Sequence, residues 1–234
     1  MDPRSLPYLK ALIVVLAAGL VLVTGALVRF IVIQGGPRAG APRTELERAV
    51  FAAAEAVKAN PDDPTARVKL AAAYLEQDRV DAALEQARIA VRMAPGDPGG
   101  YYALGLAQSR AGDLDEAAKS LKKAATTEGQ VASFYQDAFT ALAAVQERAG
   151  DTTEAIRSLT RGIQKGPENA LLLYARGRLH EATGSWLFAL DDYSAALAFV
   201  PTYKEARDGY ERVAKAHPDA VKQLEKAGST GKNP

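Results

Sequence analysis

The chain has 234 residues, 48% of them hydrophobic and 24% charged, with a formal net charge of +1. It contains no cysteine, which excludes disulfides, thiolate metal sites and cysteine nucleophiles. Its two histidines, His180 and His217, leave too little imidazole for a histidine metal centre or a catalytic triad. Residues 1–41 hold Arg4, Lys10, Arg29 and Arg38 against Asp2; the remainder carries 25 basic against 27 acidic side chains, without the basic footprint of a nucleic-acid binder.

After a short tail, residues 1–10, the run ALIVVLAAGLVLVTGALV (Ala11 to Val28) is uncharged, and FIVI extends it to Ile33 after the single Arg29. Crossing a hydrocarbon layer takes roughly 20 helical residues, so residues 11–33 are expected to form a transmembrane anchor with Arg29 snorkelling at the far interface. Thr24 and Ala26 supply small residues for a signal-peptide cut, but the apolar run continues past that point, which favours an uncleaved anchor. Arg4 and Lys10 precede the span, whereas Arg29, Arg38 and Arg43 follow it, so the positive-inside count leans towards a cytoplasmic carboxyl side. QGGPRAGAP, residues 34–42, reads as a flexible linker.

Beyond the linker one phrase recurs. Small residues stand at Ala49, Ala83, Ala117, Ala155 and Ala189, spaced by 34, 34, 38 and 34. Each opens a series such as Ala83, Ala87, Ala90, Pro95 or Ala189, Tyr193, Ala196, Pro201. Upstream, Ala71, Gly105, Ala143 and Gly177 each lie twelve positions before the next alanine, and Gly112, Gly150 and Gly184 fall at the fifteenth position of their units, where the first unit has Asp78. Glycine there closes a helix in the left-handed conformation and the final proline stops the next, so each unit predicts helix, tight turn, helix. Small side chains three and four apart let paired helices approach, and no unit can bury its apolar stripe alone.

These residues resemble the tetratricopeptide repeat family, whose 34-residue unit carries W-x2-L-G-x2-Y, then A-x3-F, then P. The resemblance implies an all-α, right-handed superhelical solenoid over residues 43–217. Its parts are a half-repeat at 43–61, repeats at 64–97, 98–131, 136–169 and 170–203, a capping helix at 204–217 and a C-terminal tail at 218–234. A four-residue insertion, Ala132 to Tyr135, precedes the third repeat, and Gln108, Gln146 and His180 stand where the family has the tyrosine kept as Tyr74.

In this family the first helices line a concave groove for partner polypeptides. Transferred by register, the expected groove residues are Val68, Leu75, Tyr102, Leu106, Arg110, Thr140, Arg148, Tyr174 and Arg178, on a wall whose second positions are Thr65, Gly99, Asp137 and Leu171. Position nine is Ala72, Leu106, Ala144 and Arg178 rather than asparagine, so the carboxylate clamp of chaperone-binding members is not expected. Asp191 and Asp192 read as solvated surface, Trp186 as a packing residue and His180 as a structural one. No GxxxxGK[ST], HExxH or GxSxG occurs, so no enzyme activity, cofactor, metal or small-molecule substrate is expected. One amino-terminal span before an alanine-rich array resembles tetratricopeptide proteins of bacterial envelope assembly, including those that present apocytochrome c for haem attachment. That implies a single-pass inner (plasma) membrane scaffold with an extracytoplasmic repeat domain, against the arginine count. The alternative is a structural subunit of a larger membrane complex using its convex face and repeat edges.

Overall fold

The computed structural model describes residues 44–229. The predicted transmembrane span at 11–33 and the linker at 34–42 lie outside the described residues, and no helix among the described ones is long and apolar enough to cross a membrane. All the regular structure described is helical: α1 (Glu45–Ala59), α2 (Pro64–Glu76), α3 (Val80–Met93), α4 (Pro98–Ala111), α5 (Leu114–Thr126), α6 (Ala132–Arg148), α7 (Thr152–Lys165), α8 (Ala170–Ala182), α9 (Trp186–Phe199), α10 (Lys204–Ala216) and α11 (Pro218–Ser229).

Local chemistry sets the helix limits. Asp63 and Asp97 accept the amides of Thr65 and Gly99 at 2.8 and 3.0 Å, and Pro64 and Pro98 occupy the first helical position, where no amide is missed. Asn169 and Asp151 cap α8 and α7 in the same way. At the turns Gly112, Gly150 and Gly184 have φ of 92°, 85° and 75°, and Asp78 takes φ 56° in the first unit. Each of these turns closes with the same pair of amide bonds, as in Asp113 N to Gln108 O at 2.9 Å and Gly112 N to Ser109 O at 3.2 Å. Aspartate tolerates this region because its short polar side chain bonds locally.

Packing follows the small residues. Ala71, Ala83, Ala87, Ala117, Ala155, Ala189 and Ala196 are all fully buried. A Cβ on Gly105 would lie 2.6 Å from the Leu121 side chain, so α4 and α5 approach too closely for any larger residue. Replacing Ala189 with Leu is expected to lower stability by about 1–3 kcal/mol through overpacking. Chemical denaturation of the two proteins measures it, and an unchanged midpoint would remove Ala189 from the helix joint.

The insertion and the carboxyl end depart from the simple repeat. Ala132 to Tyr135 form an extra first turn on α6, which buries Tyr135 and sets Phe134 edge-on to Tyr102 at 5.7 Å. Residues 218–229, expected as tail, form α11, and Ala220, Val221 and Leu224 pack on the cluster of Leu190, Tyr193 and Val213. His217, between α10 and α11, stacks on Trp186 with ring centroids 3.9 Å apart. Apolar residues at 220, 221 and 224 suffice for a helical face without the alanine phrase, so the array ends in a full hairpin. At the other end α1 buries none of its residues and leaves Leu46 and Phe51 exposed.

Candidate functional site

Consecutive helices pack all along the array from α2, and the first helices of successive hairpins, α2, α4, α6, α8 and α10, also touch one another. The second helices α3, α5, α7 and α9 do not, although at the carboxyl end α11 packs on α9. Curvature therefore turns the first helices inward, and they form one continuous inner wall.

The nine sequence-predicted groove residues divide on that wall. Leu75 is buried, and Val68 and Leu106 pack against clusters that join α2, α3 and α4. Tyr102 is half-buried against Phe134, and its hydroxyl is held protonated above the usual range by burial first and by Asp137 second. Tyr174 lies between Tyr193 and Tyr203, with centroids 5.9 and 5.1 Å away. Thr140 donates its hydroxyl to the Gln136 carbonyl of its own helix at 2.7 Å. The first five pack into joints between repeats, Thr140 bonds within its own helix, and Arg110, Arg148 and Arg178 reach solvent.

The exposed arginines hold each other's repeats. Arg110 pairs with Asp78 at 3.3 Å, Arg148 donates to the Ser109 hydroxyl at 2.7 Å, Arg178 pairs with Glu147 at 2.5 Å and Arg212 with Glu181 at 2.7 Å. Every contact runs from one first helix back to the preceding hairpin. Such exposed pairs contribute about 0–1 kcal/mol each, so their role is alignment of the wall more than stability. Glu181 also accepts the Tyr193 hydroxyl at 2.6 Å, and the Arg212 hydrogen bond holds its carboxyl below the usual carboxylate range.

Behind the wall the replaced tyrosines are accounted for. The Ser120 hydroxyl donates to Gln108 at 2.7 Å and the Ser158 hydroxyl to Gln146 at 2.8 Å, each bond linking the two helices of one hairpin. In the fourth hairpin the same two positions are His180 and Asp192. Asp192, read from sequence as solvated, is 2% exposed and takes a bidentate pair from Arg176 at 2.6 and 2.9 Å. Arg176 also donates to Thr160 of α7 at 3.2 Å, which ties repeat three to repeat four. The position-23 slot, Ser120 or Ser158 in the other units, explains the burial that adjacency to Asp191 concealed. The Asp191 carboxyl is raised by burial and by the Asp192 charge.

His180 stacks on Phe188, with its Nε2 4.0 Å from Asp192 and its Nδ1 buried without a partner. Burial lowers its pKa, outweighing the opposing pull of Asp192. Because the folded value lies below the unfolded one, the group costs nothing above pH about 6.5 and withdraws stability as pH falls below it. Urea midpoints at pH 7.5 and 5.5 are expected to fall apart in the native chain and to converge in His180→Gln, which places the residue of the second and third hairpins in the fourth. An equal drop in both would assign the pH dependence elsewhere.

Register put Leu171 on the wall without distinguishing it from the other second positions, yet among the described residues of helices α2, α4, α6, α8 and α10 it is the exposed large apolar side chain, at 47%. The arginine pairing was also missed, although Arg178 and Arg212 each follow their glutamates by 31 residues, one repeat forward and about one turn back.

The fold and this wall define a helical-repeat scaffold. The family model described as tetratricopeptide repeat matches residues 43–98 and 140–204, and a second model of the same description matches 98–129. The chain belongs to the tetratricopeptide repeat family, whose members mediate protein–protein interactions. It is similar to YrrB, solved as a repeat protein with an unusual peptide-binding site, at 19% identity and TM-score 0.56 over 76% of this chain and 92% of that one. It is similar also to a thermophilic repeat protein of Thermus thermophilus (25% identity, TM-score 0.57, covering 72% and 90%). A third likeness is to pilF of Pseudomonas aeruginosa (14%, TM-score 0.63, covering 79% and 82%). No curated protein matches the chain.

Proposed function

We propose that the chain is a membrane-anchored scaffold that holds a partner polypeptide against its inner wall during assembly of an envelope complex. The observation that carries the groove is the continuity of the first helices, on which Leu171, Arg148 and Arg178 are exposed while other large apolar groups fill joints. A wall that carries an exposed apolar side chain and charges that are prealigned, rather than free to rearrange, suits an extended or helical peptide bearing both an apolar side chain and a counter-charge. The apolar run from Ala11 to Ile33 supports the anchor, which raises the local concentration of a partner at the same membrane. The extracytoplasmic face is part of this reading and rests on the resemblance to envelope proteins.

Leu171→Asp tests the groove, because the exposed position tolerates a carboxylate in the fold. Crosslinking in intact cells is expected to lose the native chain's partners with this variant. Recovery of the same partners in the same yield would move the interaction to the convex face. Protease added to spheroplasts is expected to digest residues beyond 43, and full protection would place the array in the cytoplasm.

A further inference from the structure

The break in the repeat period coincides with a cleft of about 400 Å³ between α5, α6 and α7. Its floor is apolar: Ala125, Tyr135 and Phe139 are each at most 8% exposed. The Tyr135 hydroxyl donates to the Thr127 carbonyl at 3.0 Å and accepts the Gln130 amide at 3.3 Å, which fixes the turn beside the cleft. Arg161 and Lys165 form the rim, one helical turn apart on α7 and therefore on one face. Lys165 sits 5.5 Å from the Tyr135 ring centroid.

The charge balance separates this cleft from the groove. Arg110, Arg148, Arg178 and Arg212 all have partners in neighbouring hairpins. Arg161 and Lys165 are exposed and, among the described residues, neither pairs with a carboxylate. Glu128 is the single acid on the rim, which leaves the cleft with a positive excess. The volume lies at the low end of ligand sites and fits one large side chain with its flanking groups.

We propose that this cleft is a second binding site, for a short acidic peptide segment whose large apolar side chain lies on Tyr135 and Phe139 while neighbouring carboxylates pair with Arg161 and Lys165. An apolar floor beside cations that lack a carboxylate partner, with the Lys165 ammonium over the Tyr135 ring, rewards that combination, since a neutral peptide leaves the cations without a counter-charge and an acidic one without an apolar side chain leaves the floor uncovered. The site is independent of the inner wall, because none of its lining residues belongs to the groove set.

The test is fluorescence anisotropy on the full chain with a labelled peptide containing Glu-Phe-Glu, compared with Gln-Phe-Gln and Glu-Ser-Glu versions. Both control peptides are expected to bind about tenfold more weakly, as is the first peptide to Arg161→Ala/Lys165→Ala, the scale of a lost charge-assisted bond for Gln-Phe-Gln and the double variant and of lost apolar burial for Glu-Ser-Glu. The double substitution is at exposed positions, and an unchanged circular dichroism melt verifies its fold. Equal binding of the three peptides, unchanged affinity in the double variant, or no binding to the native chain would each overturn the proposal. Loss of binding in Leu171→Asp with none in the double variant would overturn it too and return the peptide to the groove.

Discussion

Tyr193→Ala is expected to lower stability by about 3–5 kcal/mol, the range for emptying a buried aromatic site. The ring is fully buried between two glycines of neighbouring first helices: a Cβ on Gly177 would lie 2.9 Å from it and one on Gly209 2.8 Å. Those backbones cannot collapse onto the vacated space without moving both helices, so relaxation recovers little. Tyr193→Phe keeps the ring and loses the hydroxyl bonded to Glu181 at 2.6 Å, an expected loss of about 1 kcal/mol. In a linear array the damage stays near its origin, so hydrogen exchange is expected to quicken in α8 to α11 while α2 to α4 keep their protection. Uniform loss of protection would show that the array unfolds as one block.

Asp192→Ala is expected to cost about 2–4 kcal/mol, below the full value for breaking a buried pair because the Arg176 side chain is 21% exposed and retains Thr160. The loss comes from stranding the guanidinium between α8 and α9. Replacing both partners with apolar residues, Arg176→Met with Asp192→Leu, is expected to restore most of the stability. Equal or greater loss in the double variant than in the single one would assign the cost to shape instead of charge.

The period was legible because close packing enforces it: alanine or glycine recurs on at least one side where paired helices meet, and glycine at three of the four hairpin turns that take a positive φ. Asp78 could be placed at the same slot for the same reason. What one chain-wise pattern could not supply was pairing across helices. Asp192 meets Arg176 sixteen positions away on the partner helix, and Arg148 meets Ser109 across 39 residues, an interval lengthened by the insertion. Helix α11 was hidden because its three apolar contacts obey helical spacing without the alanine phrase. Of the groove, register located the wall but not which side chains face solvent, since Tyr102 and Tyr174 turn into joints that form only once a neighbour is stacked.

The extra turn of α6 has a bearing on how this array tolerates changes in length. Four residues advance an α-helix by little more than one rotation and by about 6 Å, so every later residue keeps the side it faced. Two residues would swing it through about 200° and point the apolar face at water. Repeat length here is quantised in helical turns, and an insertion one turn long lets a repeat array change its spacing without redrawing its core.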